Sequence, residues 1–144
     1  MNTEELRGLV GHFNVEMIKK LKDVPGIKTY WTGSRVIGGY SESSDVDLVV
    51  YGDNADVILE ELFDYGLIRT GSTDSDPLKS FVSYETFDFY VPINFIVTHS
   101  EEQFSKWKTA TEVAKGLQLH RKEDRIALFD SIFGKPDLAT ELPF

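Results

Sequence analysis

The chain has 144 residues, with 24 acidic against 15 basic side chains and a formal charge of -9. That length fits one domain, and the acidic balance argues against a general nucleic-acid binder, which shows a basic footprint. The lack of cysteine excludes disulfides, thiolate nucleophiles and Cys-based zinc sites. No stretch reaches the roughly 18 apolar residues of a membrane span, and Met1 to Gly8 carries no signal-peptide pattern. A single cytoplasmic domain over 1–144, without a membrane role, is the expectation.

In chain order, Leu6, Leu9, Val10, Phe13, Met17, Ile18 and Leu21 recur at helical spacing and predict one long amphipathic helix. Asn2 or Thr3 can cap its start, and Pro25-Gly26 ends the region. A short strand, Ile27 to Trp31, leads into Thr32-Gly33-Ser34-Arg35 and a Gly- and Ser-rich loop through Ser44. Val46 to Tyr51 is a nearly continuous apolar run, as in a central strand. Asp53 or Asn54 can cap a second helix with Val57, Ile58, Leu62 and Phe63 on its buried side, and Gly66 suits its C-terminal end. Leu67 to Thr70 reads as a short strand and Gly71 to Pro77 as a polar loop. Strands follow at Lys79 to Tyr84 and Phe87 to Val97, the second bent or broken by Pro92. Helices over Glu101 to Leu117 and Lys122 to Phe133 close the pattern, with an irregular tail after Gly134. The fold class is α+β: a small mixed sheet with helices packed on one face.

The chemistry concentrates in Gly33-Ser34-Arg35 and Asp45-Val46-Asp47-Leu48. Asp45 and Asp47 are two apart on an expected strand, so both carboxylates share a face, with Cα atoms about 6.5 Å apart. Two carboxylates at ~5 Å repel by roughly 3 kcal/mol at an effective dielectric near 20. A cation between them removes that repulsion. Magnesium prefers oxygen ligands and is commonly held by one or two carboxylates plus substrate phosphates. A glycine lets backbone approach a phosphate closely, the Ser34 hydroxyl can donate to phosphate oxygens, and Arg35 adds a bidentate positive charge.

These residues resemble the nucleotidyltransferase superfamily related to DNA polymerase β. Its pattern is an apolar residue or two, Gly-Ser or Gly-Gly, a spacer of about nine to thirteen residues, then Asp-apolar-Asp/Glu-apolar. Here the spacer, Arg35 to Ser44, has ten residues. The resemblance implies a palm-like fold, Gly33, Ser34 and Arg35 on the phosphates of a nucleoside triphosphate such as ATP, and Asp45 and Asp47 as catalytic ligands of Mg²⁺ or Mn²⁺. It implies transfer of a nucleoside monophosphate to an acceptor hydroxyl. The acidic balance favours a small molecule or a protein hydroxyl over a long nucleic acid.

The chain departs from the pattern at one point. Active members add a third carboxylate from a later neighbouring strand, and the positional candidate in Pro92-Ile93-Asn94-Phe95-Ile96-Val97 is Asn94, an amide. Asn94 can offer a neutral oxygen to a hard cation but no charge and no base. Asp88 is the fallback. The departure favours an alternative reading, a catalytically silent member that binds nucleotide or a protein partner. A third reading, an antitoxin-like partner, rests on family analogy alone. His12, His99 and His120 show no ligand spacing, and Trp107 reads as a core residue on a helical stripe.

Overall fold

The computed structural model describes residues 2–64, 66–72, 81–88 and 90–134. Its order is α1 (Thr3–Val10), α2 (His12–Asp23), β1 (Lys28–Thr32), α3 (Ser34–Ile37), β2 (Val46–Tyr51), α4 (Ala55–Leu62), β3 (Leu67–Ser72), β4 (Val82–Thr86), β5 (Ile93–Thr98), α5 (Glu101–Gly116) and α6 (Lys122–Phe133). The strands form one mixed sheet in the order β1-β2-β5-β4-β3. β2 and β5 run parallel at its centre, and the other neighbours are antiparallel. The α+β class and the mixed sheet agree with the sequence reading.

The expected single helical layer is two layers. Val46, Leu48 and Val50 of β2 join Ile93, Phe95 and Val97 of β5 under α1, α2 and α4. The alternate residues Val49 and Ile96 face the other way, against Phe104 and Trp107 of α5. Both parities of the central strands are apolar over most of their length, so each side needs a cover.

The expected first helix is two helices. Gly11, at φ +90, ends α1 and begins α2, and a Cβ there would stand 2.8 Å from the Tyr90 ring. The apolar period continues across the break, which hides it from a periodicity count. Asn2 supplies the expected cap, its side chain accepting from the Glu5 N–H while donating to the Glu5 carboxylate.

Pro92 ends the expected long strand. β5 begins only at Ile93, and Phe87, Asp88 and Tyr90 to Pro92 lie in the connection from β4, which itself lies later than the expected Lys79 to Tyr84. The Ile93 N–H donates to the buried Thr86 hydroxyl at 2.9 Å, locking the β4–β5 register. Most of the expected polar loop, residues 73–77, and the tail beyond Gly134 lie outside the described residues. Among the described residues no helix is long and apolar enough to cross a membrane.

Candidate functional site

Register brings the motif residues together. β1 ends with Thr32 opposite Asp47, and Asp47 lies opposite Asn94 on β5. Residues directly opposite one another share a sheet face, so Thr32, Asp47 and Asn94 form one row beneath α5. The end of β1 is tied to that helix through the Thr32 and Thr111 hydroxyls, 2.6 Å apart, and Thr111 also donates to the Trp107 carbonyl at 2.7 Å. Asp45 stands two residues before Asp47 and points the same way.

Gly33 turns the chain from β1 into the short α3 at φ +85, ψ -175. A methyl group at position 33 would overlap the Asp47 carboxylate. Two independent constraints therefore demand glycine: a backbone region that side chains rarely adopt, and the space that Asp47 occupies. The Val36 and Ile37 amides bond back to the Gly33 carbonyl. The first amides of the turn have no acceptor within it, as at any helix start. Ser34 lines the cleft beside them.

Burial pushes the Asp47 carboxyl up to about 7, and the neighbouring Asp45 charge adds to the rise, while a hydrogen bond from Asn94 opposes it. A neighbouring carboxylate that burial and repulsion hold back from ionising is one that a bound cation would convert to its charged form. The Asn94 carbonyl oxygen Oδ1 is buried without a hydrogen-bond partner among the described residues. Leaving such an acceptor unsatisfied costs about 1–3 kcal/mol. Among the described residues no group of three or more His, Cys, Asp and Glu side chains has the arrangement of a metal site. Two carboxylates and an unsatisfied amide oxygen are nevertheless a hard-oxygen donor set that fits a magnesium-like ion sharing its shell with phosphates and water.

Arg35 is turned away from this row. Its guanidinium donates to the carbonyls of Ser44 at 2.8 Å, Glu42 at 3.0 Å and Ser41 at 3.3 Å, and lies over the Tyr40 ring. Arg35 thus holds the spacer loop in shape. Within that loop the Ser41 amide donates to the Ser44 hydroxyl at 2.9 Å, so the serines close on each other as well as lining the cleft.

Asp88 is spent elsewhere. It accepts from the Asn14 side chain at 2.7 Å and from the Tyr90 amide at 2.9 Å, in the connection that packs on α2. Asn94, rather than Asp88, stands beside Asp47. His12 and His99 lie away from the cleft, His99 with its Nδ1 on the Gly52 carbonyl at 2.9 Å.

The cleft measures about 650 Å³. Its near wall is Gly33, Ser34, Asp45, Asp47 and Asn94, and its far wall is Trp107 with His120, Arg125 and Phe129. That far wall was not foreseen. The His120 ring and backbone press on Gly38 and Gly39, both at positive φ, and Arg125 donates to the carbonyls of Gly38 and Leu119, each at 3.1 Å. The Gly-Gly pair was a visible signal of a close approach, but only the fold identifies what approaches. Trp107 packs edge-on to Phe81, Phe129 and Phe133, so it is a core residue and a cleft residue at once.

A search of curated proteins finds no match to this sequence. The family model of the nucleotidyltransferase domain matches residues 15–122, three-quarters of the chain, from α2 to the first residue of α6. The match spans β1, the Gly33-Ser34 turn and all of the carboxylate row, and by it the chain belongs to the nucleotidyltransferase domain family.

Proposed function

We propose that this protein transfers a nucleoside monophosphate from a nucleoside triphosphate to the hydroxyl of a small molecule or a protein. The observation that carries the reading is the packing of Asp47 over Gly33, with Asp45 and Asn94 beside it at one cleft. Gly33, the amides that follow it and the Ser34 hydroxyl receive the outer phosphates. Asp45, Asp47 and Asn94 hold Mg²⁺ or Mn²⁺, which supplies Lewis-acid stabilisation of the charge on the phosphates. Arg35 keeps the spacer loop folded at the rim. The acceptor oxygen bonds to the α-phosphorus, the bond to the β-phosphate oxygen breaks, pyrophosphate leaves and the hydroxyl proton passes to solvent. An acidic, cysteine-free chain suits a cytoplasmic enzyme whose acceptor is not a long polyanion.

The test is pyrophosphate release from each of the four ribonucleoside triphosphates with Mg²⁺, across hydroxyl acceptors. Wild type should turn over with at least one triphosphate, and Asp45→Asn and Asp47→Asn should fall to background. Equal signals from wild type and both variants would refute transfer at this site. A second reading, nucleotide binding without turnover, is favoured by the amide at Asn94. It requires a thermal shift with ATP and Mg²⁺ that Asp47→Asn removes, with no pyrophosphate released by wild type.

A further inference from the structure

The far wall of the cleft carries positive charge that nothing in the fold neutralises. Lys122, the first residue of α6, and Arg125, one turn further along, both line the cleft. Residues three apart on a helix are neighbours on one face. Acids are plentiful in this chain, 24 against 15 basic side chains, and nearby cations find them: Lys106, Lys115 and Arg121 each meet a glutamate at 3.4–3.7 Å. Lys122 and Arg125 have no carboxylate partner among the described residues, although Glu123 and Asp124 lie between them in sequence.

Arg125 is half-buried, and a charge withdrawn from water is normally paired. Its Nη1 donates to the Gly38 and Leu119 carbonyls, each at 3.1 Å, which orients the guanidinium without neutralising it. Its Nε and Nη2 donate to nothing among the described residues. A guanidinium held by one nitrogen, with the rest of its fork left over, suits an oxyanion. The tie to Gly38 accounts for one nitrogen of Arg125 and does not account for Lys122 at all.

We infer that Lys122 and Arg125 form a second anion subsite, on the α6 wall of the cleft, for a phosphate or carboxylate group of the ligand. Arg125 lies outside the segment shared with the family, which ends at Lys122. An anion here is bound directly by fixed cations, whereas the row of Asp45, Asp47 and Asn94 binds one only through a metal. The subsite deepens the proposed nucleotidyl transfer and rests on it only for what carries the anion, an outer phosphate of the triphosphate or an acid group on the acceptor.

The experiment is calorimetric titration of the full chain, with circular dichroism as the fold control. The first probe is inorganic tripolyphosphate in EDTA, a phosphate chain without base or metal. Wild type should bind it, and Lys122→Ala and Arg125→Lys should each weaken it about tenfold, as loss of a charge-assisted hydrogen bond does. Lys122→Glu should weaken it more. Lys108→Glu makes the same charge change on α5 outside the cleft, where Lys108 lies over the Tyr30 ring, and should have little effect. A loss in Lys108→Glu equal to that in Lys122→Glu would mean that net charge alone is felt, and would overturn the inference. Wild type that binds no tripolyphosphate, or Lys122→Glu that binds it normally, would also overturn it.

The second titration uses ATP and AMP with Mg²⁺, then inorganic phosphate added to the ATP-saturated protein. Weakened ATP with unchanged AMP in Lys122→Glu would assign the subsite to an outer phosphate of the triphosphate. Unchanged ATP with lost binding of the added phosphate would assign it to the acceptor. No change in either would overturn the inference. Pyrophosphate release separates it from the underlying reading. Wild type that turns over while Lys122→Glu binds tripolyphosphate normally would overturn this inference alone. Wild type that never turns over, with tripolyphosphate binding lost in Lys122→Glu, would support the subsite and overturn transfer.

Discussion

The two faces of the sheet come from the same strands and do opposite work. On the α1–α2–α4 side, Val46, Leu48, Val50, Ile93, Phe95 and Val97 are all at most 1% exposed and meet only apolar neighbours at their centre. On the α5–α6 side the same two strands contribute Val49 and Ile96 to a smaller apolar patch, and then Asp47 and Asn94 to an open cleft. One residue of offset separates a side chain buried in the core from one that lines the cleft. A strand flanked by two layers can therefore place a costly carboxylate pair on one face, because the opposite face supplies the burial that offsets it.

The comparison can be broken most strongly on the closed face. Phe95→Ala should remove about 3–5 kcal/mol of stability, as expected for a fully buried aromatic that packs 5.0 Å from the Phe63 ring. Urea denaturation measures this, and the protein that remains folded should bind Mn²⁺ as wild type does. If the cleft lost its ion as well, the two faces would not be separable.

Gly33→Ala should give the converse pattern. The methyl group meets the Asp47 carboxylate and the backbone is strained at φ +85, so a loss of about 1–3 kcal/mol is expected, together with loss of Mn²⁺ binding. Unchanged binding would show that Asp47 is free to swing away from the turn.

Asp47→Asn should stabilise the protein in chelator at pH 8. The folded chain holds Asp47 at about 7 against 3.8 for the free side chain, so between those values the folded state binds more protons than the unfolded one. Stability from this group consequently falls as pH rises through that window. The variant lacks the penalty, and its melting temperature should exceed that of wild type by at least about 2 °C, the smallest shift that ~1 kcal/mol gives in a chain of this size. The difference should close below about pH 4, where the aspartate is protonated in both states. A constant difference at every pH would point to packing instead of charge.

The smallest effect belongs to the rim of the α5 side. The Lys28 ammonium meets the Glu101 carboxylate at 2.8 Å, but both side chains are exposed, and exposed pairs contribute little after entropy and screening. Lys28→Ala should leave the urea midpoint within error. A clear shift would make this ion pair part of the α5 anchorage.

Much of the site was legible because it is local in sequence. Gly33-Ser34 and Asp45-Val46-Asp47 each carry their own geometry, a turn and a two-residue strand period, and Val46 to Tyr51 coincides with β2. The break at Gly11 was not legible, since an apolar stripe runs through it and the demand for glycine comes from Tyr90, far away in sequence. Arg35 looked like a phosphate partner because charge is visible in sequence, whereas the carbonyls that claim it are visible only in the folded loop.

The sequence by itself determined the order of the elements, the two carboxylates on one strand face and the glycine turn before them, because each depends on residues a few positions apart. Only the tertiary structure decided that Asn94 rather than Asp88 stands beside Asp47, and that the α5–α6 connection and α6 close the cleft through His120 and Arg125. Those facts depend on strand register and helix docking. Both are set by which apolar faces can be buried together, a property of the whole chain that no short segment contains.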